Sequence, residues 1–233
     1  MDKQRLEELV DIYTRESVLI DRKGHVTGNN CVIGDVEVLL EKEDFYNNYE
    51  LSQQGDGTYK VLMGHDEAKN GCGIWGLPYE ENKCCGVQVP KKMLDLTENI
   101  VLFTPTLEGC SIHILEQDNS WLFLHDARNQ PNTPATTRYK DFSCRPIVSY
   151  EYTMSGYHFV YPTEFACGKE VEEPESEIHR ASVLFYYSNI DHEWFMVVHG
   201  RYGRVDWKTG KMEESSEAGE ILPVSLLMKE ASE

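Results

Sequence analysis

Two short runs rich in β-branched and aromatic residues, separated by a turn-forming pair, constrain the fold of this chain more than any other feature. The runs are Ser111 to Glu116 and Trp121 to His125, and Asp118-Asn119 lies between them. Runs of this composition favour strands, and adjacent Asp and Asn residues favour a tight turn. The segment therefore predicts a β-hairpin.

The hairpin determines which side chains share a face. Side chains alternate along a strand, so Cys110 and Ile112 lie on one face of the first arm. With two or four loop residues centred on Asp118-Asn119, Ile112 pairs with His125. Cys110 is then the diagonal neighbour of His125, about 7–8 Å away at the backbone. A three-residue loop would instead place Cys110 and His125 on opposite faces.

A cysteine and a histidine on one face are the elements of a nucleophilic site. A free thiol has a pKa of about 8.5, and a neighbouring imidazolium favours the thiolate that attacks. Gly109 permits a sharp turn before the cysteine, and the backbone N–H groups around Gly109 and Cys110 are candidates for an oxyanion hole. The alternative is that Cys110 is a buried structural thiol and that His125 faces a core.

The residues before the cysteine extend this pattern. The tetrad Leu107-Glu108-Gly109-Cys110 is preceded by Thr104, and all of these residues fall within the segment 101–128 with His125. This arrangement resembles the active-site signature of the cysteine-dependent protein glutamine deamidases. That group includes the catalytic domain of cytotoxic necrotizing factor, the Burkholderia lethal factor and the chemoreceptor glutamine deamidases. The toxins have serine where this chain has Glu108, which keeps the turn but puts a carboxylate beside the thiol.

The resemblance implies both a fold and an activity. The fold is a β-sandwich core decorated by helices and loops. The activity is that of a toxin- or effector-like enzyme that hydrolyses a glutamine side chain of a target protein to glutamate. Cys110, His125 and Thr104 are the implied catalytic residues, and the hydroxyl of Thr104 positions the histidine or the amide. The implied target carries a reactive glutamine, as in a small GTPase or a translation factor of a host cell, and no metal or organic cofactor is needed.

Three other functions stay open beside this one. The same cysteine and histidine suit a protease or a transglutaminase, because both enzymes also pass through an acyl-enzyme. From a different class, the chain fits a non-catalytic acidic binding or immunity protein.

Composition and charge bound the class of protein. The 233 residues, 40% of them hydrophobic, fit a single α+β domain over 1–233 with an acidic, partly mobile tail over 213–233. The net charge of −18 argues against nucleic acid or an anionic membrane as ligand, because phosphate binding needs a basic face.

The cysteines and the start of the chain indicate a compartment. Seven cysteines and a charged start without an apolar signal core predict a reduced cytoplasmic protein. An effector that a dedicated secretion machine delivers into the cytosol of a host cell has the same features.

Most of the other secondary-structure elements that the sequence predicts are strands. The expected elements are a helix over residues 4–15, a strand over 32–40, a helix over 41–51, short strands joined by loops over 55–89, a buried strand over 99–103, a strand pair over 148–161, a solvated loop over 169–177, and a three-stranded meander over 182–187, 194–199 and 201–207.

Other metal-binding or catalytic residues form weaker patterns. Cys84-Cys85 with Cys72 and His65 contains no Cys-x-x-Cys pair, and adjacent cysteines seldom both ligate one tetrahedral ion, so no zinc site is expected. His113 lies on the face opposite Cys110, which predicts a packed or exposed residue rather than a catalytic one.

Overall fold

The described part of the chain contains one α-helix, one short 3₁₀ helix and fifteen strands. A computed structural model describes residues 1, 3–16, 18–19, 29–33, 36–40, 48–54, 59–64, 73–95, 99–107, 111–127, 145–150, 177–206, 211–216 and 219–225. Helix α1 spans Lys3–Arg15 and the 3₁₀ helix spans Lys91–Asp95. Among the described residues, no helix is long and apolar enough to cross a membrane.

The strands follow in chain order. They are β1 Val18–Leu19, β2 Asn29–Ile33, β3 Val36–Leu40, β4 Asn48–Gln53, β5 Tyr59–Gly64, β6 Ile74–Gly76, β7 Cys84–Pro90, β8 Ile100–Phe103, β9 Ser111–Glu116, β10 Ser120–Asp126, β11 Arg145–Tyr150, β12 Glu177–Ser188, β13 Glu193–Asp206, β14 Lys211–Ser216 and β15 Glu220–Pro223.

The strands form three sheets. The hairpin sheet has the order β11-β9-β10-β7-β3-β2, and the long-strand sheet has the order β14-β13-β12-β8-β6 with β15 also paired to β13. A small sheet has the order β1-β5-β4. The pairs β3–β7, β6–β8 and β1–β5 are parallel and the other pairs are antiparallel. The predicted α+β fold rich in antiparallel strands is therefore confirmed.

The main core lies between the hairpin sheet and the long-strand sheet. Phe123 of the hairpin sheet contacts Phe185 and Trp194 of the long-strand sheet, with ring centres 5.1 and 4.8 Å apart. Alternate residues of the hairpin sheet, such as Ile112 and Ile114, join the same buried cluster. The two sheets thus pack face to face as a sandwich, since alternate side chains of both fill one core.

A second core covers the other face of the long-strand sheet. There α1 contributes Leu6, Leu9 and Tyr13, which recur at helical spacing and are buried. Phe103 of β8 contacts the ring of Tyr49 in β4, with centres 5.3 Å apart. The order of layers is therefore hairpin sheet, long-strand sheet, and then α1 with the small sheet.

Several predicted elements match the structure. The helix over 4–15, the buried strand over 99–103 and both arms of the hairpin are confirmed. The strand predicted over 32–40 is wrong as a single element, because β2 and β3 form an antiparallel pair in which Ile33 pairs with Val36. Gly34-Asp35 falls between them in sequence, and Gly-Asp is a pair that favours a hairpin loop.

Three other predictions differ from the structure. The helix over 41–51 is wrong where the structure describes it, because residues 48–51 begin β4, where Tyr49 packs on Phe103. The predicted meander has separate strands over 194–199 and 201–207, but β13 is one strand through Gly200, because β12 pairs with it continuously there. Part of the predicted tail forms β14 and β15, which both pair with β13. Residues 151–176 and 226–233 lie outside the described ranges.

Candidate functional site

The hairpin register places His125 directly opposite Ile112. The N–H of Gln117 donates to the carbonyl oxygen of Ser120 at 2.8 Å, which leaves only Asp118-Asn119 as the loop. Of the loop lengths considered, the structure has two residues, and the Ile112–His125 pair that this length requires is present. His125 therefore points from the inner face of the hairpin sheet, the face that carries Ile112 and Phe123.

Two further residues adjoin His125. Strand β7 runs beside β10 with Cys85 directly opposite His125, so Cys85 and Ile112 flank the histidine on its two sides. The ring of Tyr79 packs against the imidazole with ring centres 5.1 Å apart. Only 1% of His125 is exposed. The histidine is thus enclosed by a thiol, an isoleucine and an aromatic ring.

The imidazole of His125 is held neutral. Burial lowers its pKa from 6.5 to about 4, the nearby Asp126 opposes this shift, and His113 adds to it. Neither ring nitrogen has a hydrogen-bond partner among the described residues. A buried polar atom that has no partner costs roughly 1–3 kcal/mol, which makes this histidine a candidate for a functional role. Such groups in native structures often have a functional reason.

Thr104 occupies the edge where the chain leaves the long-strand sheet. It directly follows β8, is 2% exposed, and its hydroxyl has no hydrogen-bond partner among the described residues. The hydroxyl of Thr106 also has no hydrogen-bond partner among the described residues. The N–H of Leu77 donates to the carbonyl oxygen of Phe103 at 2.8 Å, which prolongs the parallel β6–β8 pairing toward Tyr79 and Thr106.

The two threonines lie at the start of the connection from β8 to β9. The chain leaves β8 at Thr104, passes Leu107, which is buried in the main core, and re-enters the structure as β9 of the hairpin sheet. Tyr79, which follows β6 at the same edge as Thr106, contacts His125 of the hairpin sheet. Residues 104–107, the described start of the segment with the deamidase-like signature, therefore follow the long-strand sheet directly.

Glu108, Gly109 and Cys110 lie outside the described residues. The first described residue after them, Ser111, pairs with Asp126. The proximity of Cys110 to His125, the oxyanion-hole role of the Gly109 and Cys110 backbone, and the role of Thr104 stay predictions.

The opposite face of the hairpin carries another polar pair. Nε2 of His113 lies 3.9 Å from Oδ2 of Asp126, and both side chains are almost fully buried. Cys84 lies opposite Asp126 on this face, whereas Cys85 lies on the His125 face. His113 is therefore packed, which is one of the two environments, packed or exposed, that the sequence predicts for it.

The cysteines at the start of β7 point in opposite directions. Successive side chains alternate across a strand, so Cys84 and Cys85 do not converge on one ion. Within the described ranges, no group of three or more His, Cys, Asp or Glu side chains is arranged to hold a metal ion. Cys72 and His65 lie outside those ranges.

Sequence reasoning missed Cys85 and Tyr79 as neighbours of His125. The alternation Cys85-Gly-Val87-Gln-Val89 does indicate a strand with the thiol on its apolar face. The pairing of this strand with β10 joins residues about forty positions apart in sequence, for which the chain carries no local signal.

Comparison with models of known protein families and with curated proteins finds no match to this chain.

Proposed function

We propose that this protein is a toxin- or effector-like enzyme that deamidates a glutamine side chain of a target protein, with Cys110 as nucleophile and His125 as base. The reaction is acyl transfer from a carboxamide to a thiol and then to water. It needs no metal or organic cofactor.

The proposed mechanism has two halves. In the first, His125 accepts the proton of Cys110 and the sulfur attacks the carbonyl carbon of the glutamine, while backbone N–H groups around Gly109 and Cys110 bind the oxyanion. The protonated histidine then gives its proton to the departing ammonia, which leaves a thioester. In the second half, His125 takes a proton from water, and the hydroxide formed hydrolyses the thioester to glutamate and regenerates the thiol.

The hairpin register is the observation that carries the proposal. His125 lies opposite Ile112, so a strand that continues by alternation before Ser111 brings Cys110 onto the face of His125. Diagonal neighbours on an antiparallel pair are about 7–8 Å apart at the backbone, which an imidazole and a thiol can span.

The state of His125 also supports the proposed role. A base must be neutral before it accepts a proton, and burial, which lowers the pKa of His125 to about 4, keeps the imidazole neutral at physiological pH while it also weakens the imidazole as a base. Its nitrogens form no competing hydrogen bonds within the described part of the chain. The hydroxyl of Thr104 also has no hydrogen-bond partner among the described residues, which leaves it for the substrate amide or the histidine in this proposal.

The test is mass analysis of purified candidate targets, namely small GTPases and translation factors, after incubation with the enzyme. Wild type should raise the intact mass of a target by about 1 Da per glutamine converted to glutamate, and peptide mapping should locate the glutamine. Cys110→Ser and His125→Ala should each abolish the change, and the double variant should be hardly worse, because residues that act as a unit are not additive. Cys84→Ala, on the opposite face, is the matched control and should retain activity.

The same assay separates the alternatives. Cleavage of the target supports a protease, and incorporation of an added primary amine supports a transglutaminase. A target that binds wild type and both variants equally, with no change of mass, would replace the enzyme by a binding protein.

A further inference from the structure

A thiol and an imidazole already face each other within the described strands. Cys85 and His125 are direct partners in the antiparallel pair of β7 and β10. The N–H of Ala127 donates to the carbonyl oxygen of Lys83 at 2.9 Å, two positions along from this pair. Hydrogen-bonded pairs recur every second residue, so Cys85 and His125 also form such a pair, with Cα atoms about 5.5 Å apart.

Both side chains project into the same apolar interior. Directly opposite residues place their Cβ atoms about 4.5–5.5 Å apart on one face. Cys85 is completely buried and His125 is 1% exposed. The residues beside them on this face, Val87 and Ile112, belong to the main core.

His125 is the second observation that points to a ligand. Its two ring nitrogens are buried and have no hydrogen-bond partner among the described residues, although a thiol lies directly across the strand pair. A neutral imidazole has one nitrogen that accepts a proton and one that donates a hydrogen bond. No described residue uses either function.

We propose that Cys85 and His125 form a second thiol–imidazole site, which takes small uncharged electrophiles of the α,β-unsaturated carbonyl class. The sulfur of Cys85 bonds to the β-carbon, the thiol proton passes to His125, and His125 delivers a proton to the α-carbon. The carbon–carbon double bond becomes a single bond, nothing leaves, and no oxidant or reductant takes part. This site shares His125 with the proposed deamidase site but does not involve Cys110.

The surroundings of the pair determine the kind of ligand. The neighbouring side chains are apolar, so a charged reagent would lose its hydration without compensation. An adduct on Cys85 would occupy the space beside His125, and it would therefore also stop any reaction in which His125 serves Cys110.

Cys84 is a matched internal control. It is adjacent to Cys85 in β7 and equally buried, but it packs in a different cluster with Leu122 and Leu124. Its direct partner in β10 is Asp126, which lies beside His113. A difference in reactivity between Cys84 and Cys85 that His125→Phe removes thus reports the effect of His125 rather than of burial.

The experiment uses acrylamide on the folded full-length chain in a Cys110→Ser background, so that its outcome does not depend on the deamidase proposal. Fragment-ion mapping assigns the adduct to Cys84 or Cys85, and the variants Cys84→Ala and Cys85→Ala confirm the assignment. Cys85 should react about tenfold faster than Cys84, and His125→Phe should remove this advantage without changing the rate at Cys84. Circular dichroism of each variant before labelling shows that the fold is retained.

Three results would overturn the proposal. They are equal rates at the two cysteines, a Cys85 rate that His125→Phe does not alter, and labelling of Cys85 only after the chain is unfolded in denaturant.

Discussion

The rings of Tyr79 and His125 pack against each other with their centres 5.1 Å apart and their planes inclined by 58°. Tyr79 follows β6 of the long-strand sheet, whereas His125 belongs to β10 of the hairpin sheet. The contact therefore joins the two layers at the edge where the chain crosses between them. By keeping water from the imidazole, it contributes to the burial that favours the neutral form of His125.

This burial predicts a loss of stability in acid. The pKa of His125 is about 4 in the folded protein and 6.5 when unperturbed, so between these pH values the unfolded chain binds a proton that the folded chain does not. The free energy of unfolding should fall as the pH drops through 6.5 toward 4, by about 2 to 3 kcal/mol from this residue alone.

The variant His125→Phe isolates that contribution. Phenylalanine fills a similar space without a titratable group, so this part of the pH dependence should disappear. Urea unfolding of wild type and variant, at neutral pH and near the acidic end of this window, measures the difference. Identical pH dependence in the two proteins would mean that His125 is not held neutral by the fold.

Thr104→Val tests whether the threonine hydroxyl serves the fold or the substrate. The hydroxyl is buried without a hydrogen-bond partner among the described residues, so its removal should leave stability unchanged or raise it by up to about 1 kcal/mol. The deamidation rate should nevertheless fall, because the proposal gives this hydroxyl a positioning role.

Thr106→Val is the matched control for Thr104→Val. Its hydroxyl is also without a partner among the described residues, and it has no role in the proposed mechanism. Unfolding curves and deamidation rates of both variants are compared. Strong destabilisation by Thr104→Val would assign the hydroxyl to the fold, and full activity would remove Thr104 from the mechanism.

Gly86 should not tolerate a side chain, because β7 and β10 approach closely beside the candidate site. A Cβ at Gly86 would lie 2.4 Å from Cδ2 of Leu124 and 2.6 Å from the carbonyl oxygen of Phe123. The leucine can move, but the carbonyl is fixed in the sheet. Gly86→Ala should therefore destabilise the protein by about 1–3 kcal/mol, measured by urea unfolding. An unchanged unfolding midpoint would contradict this close approach.

The hairpin was predictable from sequence because its information is local. Alternation along two short arms and the pair Asp118-Asn119 determine the register, and the structure has Ile112 opposite His125 as expected. α1 was predictable for the same reason, since Leu6, Leu9 and Tyr13 recur at helical spacing.

Elements that depend on distant partners could not be predicted. Residues 48–51 lie in β4, because Tyr49 packs on Phe103 and β4 pairs with β5. The neighbours of His125 other than Ile112 also come from elsewhere in the chain, through the β7–β10 pairing and the contact with Tyr79. These contacts decide the burial and the protonation state of the histidine, which its own segment does not reveal.

Activation of Cys110 by His125 is tested most directly by the rate at which iodoacetamide alkylates each cysteine of the folded protein. Peptide mapping at a series of times gives the alkylation rate of each cysteine. The rate at Cys110 is compared with the rates at the cysteines other than Cys85, and Cys84 is the buried reference. In wild type Cys110 should react about tenfold faster than these cysteines, and His125→Phe should abolish that advantage. If Cys110 reacts no faster than the cysteines other than Cys85, or reacts at the same rate in His125→Phe, then His125 does not activate Cys110.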